Sequence, residues 1–386
     1  MRLLSQRAGI GGMTSKDLVS LYMKQLRESF AALIPRDIPA ALVDYPISTN
    51  CGDHAIWLGQ KKLLSELGIP NAYECSVQTY DRDAMAAKLG NGTILMQGGG
   101  NFGDRYPIHH EFRLRVLQDF PNNKVILFPQ QVTFLDNDYL QRTADILAGH
   151  PDVTLFARGV IAQHMFTRYF GHTTRVELAP DMAFMLGPQP RRSEPLYDIV
   201  WIARTDQERA NDQTEVAARL SSQGAEKYVL PRFPDGVEIN FVVKQRPPTV
   251  FLTDWYSLFF ENEDARLAYQ RLESGARAEA TVARALHILS LGRVVITDRL
   301  HGHIFCLLLG IPHILLNNDS GKNWNFYETW TRDSPLCRLA RSPAEAWSLA
   351  RSAVPKLREL AGGEWSWQGL NAEAAAGGAG TSFRFL

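Results

Sequence analysis

Short apolar segments alternate along this chain with longer amphipathic ones, and this alternation limits the possible folds more than any other feature. The runs TILM (93–96) and VTLFA (153–157) have the length and composition of buried strands. After a short turn, the second run is followed by VIAQHMFTRYF (160–170), whose apolar residues have helical spacing. Strands that alternate with helices predict an α/β fold with a parallel sheet covered on both faces. Because such sheets bind ligands outside the carboxyl ends of their strands, functional residues are expected there.

The chain is long enough for two domains. Its 386 residues exceed what a single hydrophobic core usually supports. The segment GPQPRRSEPL (187–196) is rich in proline and arginine, and a second alternating series begins after it with YDIVWIA (197–203). We therefore predict two α/β domains, residues 1–190 and residues 191–386, with the boundary in this segment.

Composition excludes several classes of protein. Lysine and arginine together number 41, as do aspartate and glutamate, so the formal net charge is zero and binding to nucleic acid through bulk charge is not expected. The four cysteines form no CxxC pair, which argues against a zinc site or a disulfide framework and favours a reducing cytoplasm. No stretch reaches the roughly 20 apolar residues of a membrane-spanning helix. We therefore predict a cytoplasmic protein without a metal site.

Three consecutive glycines follow one of the predicted strands. Gly98, Gly99 and Gly100 come after TILMQ and precede Asn101. Glycine lets the backbone approach a ligand closely and adopt positive φ, and backbone amides at such a turn can bind an anion or a sugar hydroxyl. The same residues also fit a tight turn that needs glycine for geometry alone. They match neither the P-loop nor the GxGxxG fingerprint, so they do not indicate a nucleotide site.

Charged residues lie at the ends of other predicted strands or at the start of helices. Asp53 lies in a loop that opens a helix, Arg158 follows VTLFA directly, and Asp181 follows another strand in LAPDMAF. An arginine in such a position can bind phosphate or carboxylate through paired hydrogen bonds, and an aspartate can accept from a substrate hydroxyl. Each has a structural alternative: Asp53 can cap its helix, and Arg158 and Asp181 can belong to ordinary ion pairs.

The densest group of polar residues lies between two apolar segments in VVITDRLHGHIFCLLLGIP (294–312). Asp298, Arg299 and His301 occupy the turn between a predicted buried strand and a predicted buried helix. Unpaired charge is costly to bury, so these groups need partners or a ligand. Arg299 supplies permanent positive charge, and His301 can exchange protons near neutral pH. His303 is predicted to pack in the first helical turn. The three polar groups at one strand end favour a site over a purely structural network.

Two further cations are weaker candidates for binding an anion. Arg204 follows the strand in YDIVWIA, and Lys322 lies in the loop NNDSGKNW. Both can contact a phosphate group. Aromatic residues of the same loop, including Trp330, can either stack on a sugar ring or pack the loop.

The order of these motifs resembles the polysaccharide pyruvyl transferase family. The series CGDHA, LMQGGGNFGD, FPQQV, FARG, LAPDMAF, TDRLHGHIFCLLLGIP and NDSGKNWNFYETW runs from Cys51 to Trp330, and the sixth motif is the most specific. The resemblance implies two Rossmann-like domains that face each other across a cleft, as in GT-B-type glycosyltransferases. It places the glycine run on the acceptor side and the DRLHG motif on the donor side.

The resemblance also implies an activity and its partners. The enolpyruvyl group of phosphoenolpyruvate is transferred onto sugar hydroxyls, and a pyruvate ketal forms on a polysaccharide or its lipid-linked precursor. Phosphoenolpyruvate is the donor substrate, and neither a cofactor nor a metal is expected. A lipid-linked acceptor would bring this cytoplasmic protein to the inner face of the membrane.

The resemblance gives each candidate residue a role. His301 deprotonates a hydroxyl or donates a proton, and Asp298 orients it. The phosphate and carboxylate of the donor are bound by Arg299 and Arg158, with Lys322 and Arg204 as weaker choices. The remaining substrate-binding candidates are Asp53, Asp181, Gly98, Gly99, Gly100 and Asn101.

Two other functions fit the same sequence. A GT-B-type glycosyltransferase that uses a nucleotide sugar would need the same architecture and cleft. A non-enzymatic protein that binds sugars or anions would also keep the cleft, although it has less need of the DRLHG cluster.

Overall fold

The computed structural model describes residues 13–204, 226–227, 241–243, 249–253, 272–360 and 365–367. It contains two seven-stranded sheets, and in the first all paired strands run parallel, in the order β2-β1-β3-β5-β6-β7 with β4 paired to β5. The strands of this sheet are β1 (Ala40–Val43), β2 (Asn71–Cys75), β3 (Thr93–Met96), β4 (Gly99–Phe102), β5 (Val125–Val132), β6 (Val153–Ala157) and β7 (Arg175–Leu178).

The second sheet has the order β14-β13-β12-β8-β11-β10-β9. Its pairs from β14 to β11 are parallel, whereas β10 is antiparallel to both β11 and β9. Its strands are β8 (Tyr197–Ile202), β9 (Glu226–Lys227), β10 (Phe241–Val243), β11 (Val250–Thr253), β12 (Gly292–Thr297), β13 (His313–Leu316) and β14 (Cys337–Ala340). The predicted α/β fold with parallel sheets is confirmed.

Helices connect most of the successive parallel strands, as the alternation in the sequence predicts. They are α1 (Ser15–Ala31), α2 (Cys51–Leu67), α3 (Arg82–Leu89), α4 (Pro107–Asp119), α5 (Asn137–Ala148), α6 (Val160–Phe170), α7 (Ser274–Ser290), α8 (Leu300–Leu309), α9 (Lys322–Phe326) and α10 (Pro343–Glu359). A 3-10 helix spans Met182–Leu186 and a π-helix spans Tyr327–Thr331. None of the helices in the described ranges has both the length and the apolar content needed to cross a bilayer.

Local sequence fixes where the helices begin and end. Asn50 precedes α2, and its side chain accepts a hydrogen bond from the backbone N–H of Gly52. The side chain of Ser342 caps α10 in the same way by accepting from Glu345. Gly310 ends α8 with φ at 67°, a left-handed conformation in which a side chain would be strained. The polar and glycine residues between the apolar runs therefore set the boundaries of the helices.

One apolar cluster joins the two halves of the chain, which we define as the described residues up to 190, with the first sheet, and those from 191, with the second. Leu26 on α1 and Trp57 on α2 belong to the same buried cluster as Phe305 on α8, which follows a strand of the second sheet. The ring of Tyr22 also lies 5.5 Å from that of Trp330, in an edge-on arrangement. Burial of apolar surface is the largest favourable contribution to folding. The two halves are therefore held together by a shared core.

A buried chain of hydrogen bonds connects α8 to the second sheet. Burial lowers the pKa of His303 well below its ordinary value and that of His313 to about 4, so both rings are neutral at pH 7. His313 Nδ1 donates to the carbonyl oxygen of Ile311, and its Nε2 therefore accepts from His303 Nδ1 at 2.7 Å. His303 Nε2 in turn accepts from the hydroxyl of Thr331 at 2.8 Å. The prediction that His303 packs is confirmed.

We expect the free energy of unfolding to fall as the pH drops from about 7 toward about 4. His303, His313 and His110, whose pKa burial lowers to about 3, stay neutral in the folded protein. In the unfolded chain they take up protons below their ordinary pKa of 6.5, so the unfolded state binds more protons in this window. Each histidine contributes a slope of up to about 1.4 kcal/mol per pH unit, measurable by urea unfolding at successive pH values.

The double variant His303→Gln/His313→Gln serves as the control for that slope. It lacks two of the three histidines named above. Its free energy of unfolding should therefore depend less steeply on pH than that of the wild type between pH 6.5 and about 5. Identical slopes in the two proteins would show that other groups cause the acid sensitivity.

Candidate active site

A cavity of about 250 Å³ lies where strand ends and helix starts of the two halves meet. Its walls come from both halves of the described chain. The lining residues are Ser48, Asn50, Asp53, Gly100, Asn101, Tyr106, His109 and Arg158 from the first half, and Arg204, Arg299, Leu300, His301 and Lys322 from the second. Eight of the residues proposed from sequence are therefore brought together here: Asp53, Gly100, Asn101, Arg158, Arg204, Arg299, His301 and Lys322.

Positive charge dominates the polar lining of the cavity. Arg158, Arg204 and Arg299 follow β6, β8 and β12, and each is buried with no more than 6% of its surface exposed. Lys322 adds a half-buried ammonium group at the start of α9. Two carboxylates, Asp53 in the wall and Asp181 behind it, oppose these four cations. The cavity therefore favours an anionic ligand.

Asp181 links a cation of the first half to the histidine of the second. One of its oxygens, Oδ2, lies 2.8 Å from Arg158 Nη1 and 3.5 Å from His301 Nε2. Burial alone raises the pKa of Asp181, but the charges of His301 and Arg158 and the N–H of Ala183 outweigh it, and the pKa lies well below its usual range. Asp181 is therefore ionised at neutral pH.

Asp298, which we predicted to orient His301, lies behind the cavity wall with 3% of its surface exposed. Its carboxylate accepts a hydrogen bond from the backbone N–H of Arg204 at 2.9 Å. Its backbone oxygen accepts from the side chain of Asn323. These bonds join the ends of β8 and β12 and the first turn of α9. These contacts give Asp298 a role in holding the strand ends together. That it orients His301 stays a prediction, and Asp181, 3.5 Å from the ring, is a second candidate for that role.

The first turns of α2 and α8 pack directly against each other at the cavity. Asn50 caps α2 and also donates to Asp53 Oδ2 at 2.9 Å, so Asp53 lines the cavity and does not cap the helix. Gly52 lies against the imidazole of His301. A Cβ atom at position 52 would lie 2.1 Å from His301 Nδ1, so a side chain there is incompatible with the observed position of the ring. Gly52 thus leaves the space that His301 occupies.

The glycine run meets structural needs, and one of its members lies in the cavity wall. Gly98 meets a structural need, because a Cβ there would lie 2.9 Å from the carbonyl oxygen of Pro129. Gly99 begins β4 with φ at 129°, a conformation that side chains rarely allow, so the run is partly a strand and not only a turn. Gly100 lines the cavity, whereas Gly98 and Gly99 lie outside its lining. The oxygen of the Asn101 side chain accepts from Arg113 at 2.7 Å.

Sequence reasoning missed His109, Tyr106, Ser48 and Asn50 among the lining residues. His109 Nδ1 lies 2.8 Å from Asp44 Oδ1, and His109 lies in the first turn of α4. The only signal in the sequence is the adjacent pair His109 and His110, and its second member packs in the core with 0% exposure.

Trp330, for which stacking on a sugar and packing were both considered, packs in the core. It is 6% exposed, and its Nε1 donates to the backbone oxygen of Arg158 at 2.8 Å. It therefore supports the strand end that presents Arg158 to the cavity.

One group in the described part of the chain has the composition of a metal site. The side chains of His303, His313 and Cys337 are buried, and their ligand atoms lie within 4.8 Å of one another. The two imidazole nitrogens that face each other are the pair joined by the 2.7 Å hydrogen bond described above. In this arrangement the group is a hydrogen-bonded part of the core.

The chain is similar to known proteins in sequence and in fold. Residues 50–320 match the family model described as polysaccharide pyruvyl transferase. Pyruvyl transferase 1 of Schizosaccharomyces pombe is 32% identical over 309 residues, which cover 77% of this chain and 70% of that protein. The Bacillus subtilis protein EpsO is 28% identical over 82% of this chain and 93% of its own length. The crystal structure of an uncharacterized Klebsiella pneumoniae protein shares the fold, with a TM-score of 0.51, 18% identity and coverage of 84% and 99%.

We expect Gly52→Ala to displace the ring of His301. The added methyl group would occupy the position of Nδ1, so the imidazole must rotate and its 3.5 Å separation from Asp181 must change. A crystal structure of the variant measures this displacement directly, and a thermal melt shows that the fold persists.

Gly275→Ala is the matched control for this substitution. Gly275 is the second residue of α7, as Gly52 is of α2. Its chain neighbours and its own helix backbone aside, no atom of the described residues lies within 4 Å of a Cβ built on it. This variant should leave His301 in place. An unmoved imidazole in the Gly52→Ala crystal structure would contradict the role of Gly52 in positioning it.

Proposed function

The chain belongs to the polysaccharide pyruvyl transferase family, and from this premise we propose that it transfers the enolpyruvyl group of phosphoenolpyruvate onto sugar hydroxyls. The product is a pyruvate ketal on a polysaccharide or on its lipid-linked precursor. The observation that carries the proposal is the set of cations in one cavity: Arg158, Arg204, Arg299 and Lys322. Phosphoenolpyruvate, with a phosphate and a carboxylate, is a small donor of matching charge.

The donor lies on the side of the cavity formed by the second half. Arg299 and Arg204 bind its phosphate and carboxylate, with Arg158 reaching across from the first half. The first turn of α8, which begins at Leu300, adds the partial positive charge of a helix N-terminus. Because Arg299 is 3% exposed, its interaction with an anion is only weakly screened by water. The anionic groups of the donor are therefore held before the reaction starts.

The reaction requires protons to move at four places: the methylene carbon, the two hydroxyls and the leaving phosphate. The methylene carbon of phosphoenolpyruvate gains a proton, and the electrons of the double bond form the new C–H bond. A sugar hydroxyl adds to the adjacent carbon and loses its proton, the bond from that carbon to the phosphate oxygen breaks, and a second hydroxyl closes the ketal. Of the two hydroxyl protons, one is balanced by the new methyl group and the other leaves with inorganic phosphate. Proton transfer is therefore the main chemistry that side chains must supply.

We assign the proton donor to His301. Its Nε2 lies 3.5 Å from the carboxylate of Asp181, which places the ring beside a buried acceptor. The neighbouring cations, among them Arg158, hold the donor close to this ring. His301 therefore combines a side chain of the type that donates protons with proximity to the donor, which are the two requirements of a general acid.

The acceptor sugar lies on the side formed by the first half. Apart from Arg158, the lining residues there are polar and uncharged or acidic, and they suit hydroxyl groups better than phosphate: Ser48, Asn50, Asp53, Gly100, Asn101, Tyr106 and His109. We further propose that the two sheets belong to two Rossmann-like domains, residues 1–190 and 191–386, that face each other across this cavity as in GT-B enzymes. A lipid-linked acceptor would bring the protein to the inner face of the membrane.

Incubation with phosphoenolpyruvate and a panel of galactosides, glucosides and mannosamine derivatives tests the proposal. The expected result is release of inorganic phosphate together with a ketal detectable by mass spectrometry. If UDP- or GDP-sugars are consumed while phosphoenolpyruvate is not, the protein is a glycosyltransferase. Binding of phosphoenolpyruvate or sugar without phosphate release would instead identify a non-enzymatic binding protein.

Two variants test the assigned residues. His301→Ala should lower kcat by about 10²- to 10⁴-fold, because the reaction loses its general acid. Arg299→Ala should weaken binding of phosphoenolpyruvate by about 2–5 kcal/mol, as expected for a buried charge pair. His172→Ala, at an exposed histidine outside the cavity lining, should behave as the wild type. Full turnover in the His301 variant would refute its role.

A further inference from the structure

A second histidine–aspartate pair lies in the cavity wall formed by the first half. His109, in the first turn of α4, lines the cavity with 31% of its side chain exposed. Its Nδ1 lies 2.8 Å from Oδ1 of Asp44, which follows β1 and is 0% exposed. The ring edge that carries Nε2 is turned away from this carboxylate. His109 thus has one nitrogen fixed in the protein interior and the other on the far side of a ring that is exposed to the cavity.

Asp44 has a strained backbone conformation. Asp44 has φ at 72°, and among the described residues no other non-glycine residue has a positive φ. Strained backbone of this kind persists where the surroundings enforce it, and it clusters at functional sites. The second oxygen of Asp44 accepts from Arg113 Nη2 at 3.1 Å. Arg113 is 1% exposed and also donates to the backbone of Asn101 and Gln97. The buried carboxylate of Asp44, which is held on a strained backbone, therefore fixes the orientation of His109.

The position of His109 in the cavity differs from that of His301. His301 belongs to the half that supplies Arg204, Arg299 and Lys322. His109 belongs to the half whose lining is mainly hydroxyl, amide and carboxylate groups, including Tyr106. The two imidazoles therefore lie in the parts of the cavity that we assigned to donor and acceptor, respectively.

The proposed reaction needs two groups at once. When a hydroxyl adds to the double bond of phosphoenolpyruvate, a proton must reach the methylene carbon while another leaves the hydroxyl oxygen bound to the adjacent carbon. One imidazole cannot donate and accept a proton in the same step. With His301 as the acid, a base is required on the acceptor side.

We propose that His109 is this base, an inference that rests on the proposed function. Because Nδ1 donates to Asp44, Nε2 carries the lone pair that accepts the proton of the attacking hydroxyl. The buried carboxylate then stabilises the imidazolium that forms. The hydroxyl oxygen uses the freed electron pair to bond the central carbon of the donor. Phosphate takes this proton from His109 as it leaves. The second hydroxyl then gives its proton to His109, and exchange through water returns one proton from His109 to His301 before the next turnover.

Steady-state kinetics of His109→Gln test the proposal. Removing a base that acts in the transition state should lower kcat at least about 100-fold, while the KM values for donor and acceptor change less than about threefold. His172→Gln, at an exposed position, controls for the loss of a histidine. In His109→Ala, added imidazole should restore kcat at least about tenfold, because a free base can occupy the vacated space.

Each outcome distinguishes the alternatives. A His109→Gln variant with wild-type kcat and a raised KM for the acceptor would make His109 a binding residue and overturn the proposal. A loss of kcat that imidazole does not rescue, together with a lowered melting temperature, would make the position structural and also overturn it. If the wild type itself shows no turnover of phosphoenolpyruvate with any acceptor, the proposed function fails and this inference fails with it.

Discussion

The site depends on a carboxylate buried between a guanidinium and an imidazole. Asp181 is 1% exposed, and its partners Arg158 and His301 come from different halves of the chain. Breaking a buried pair of this kind by removing one partner typically costs about 3–5 kcal/mol, because the remaining charge is left uncompensated. The same carboxylate lies beside the ring of His301 and fixes the strand end that carries the arginine. The carboxylate of Asp181 therefore holds together the two halves of the cavity wall at the residues proposed to react and to bind.

Histidines in this protein show how position decides chemistry. His301 and His303 are two residues apart on α8 and so point to different sides of the helix. His303 lies in the core, where burial lowers its pKa and hydrogen bonds fix it as a neutral ring. His301 lies beside an ionised aspartate at the cavity. The adjacent pair on α4 repeats the contrast: His110 is buried against Thr143, and His109 reaches the cavity.

Much of the fold could be predicted because the rules involved are local. The alternation of apolar and amphipathic segments indicated parallel sheets, and Arg158, Arg204 and Arg299 were identified because each follows an apolar strand. Functional residues at strand ends can be predicted because parallel strands have their carboxyl ends at one edge of the sheet. It needs no knowledge of which strands are neighbours.

Pairings between distant segments could not be predicted in this way. Asp298 is close to His301 in sequence, but the carboxylate beside that ring belongs to Asp181, brought there by the packing of the two halves. His109 was missed for the same reason, since its partner Asp44 lies at the end of another strand. Local sequence shows which residues reach an edge of a sheet, whereas sheet order and the packing of the halves decide which of them meet.

The missing side chain at position 52 has a consequence for motion. In the arrangement seen here, Gly52 and His301 leave no room for a methyl group between α2 and α8. Because a shared core holds the two halves together, a methyl group at position 52 can be accommodated only by turning the ring of His301 or by pushing the two helix starts slightly apart. Substitution at this position therefore measures how rigid the contact between the halves is.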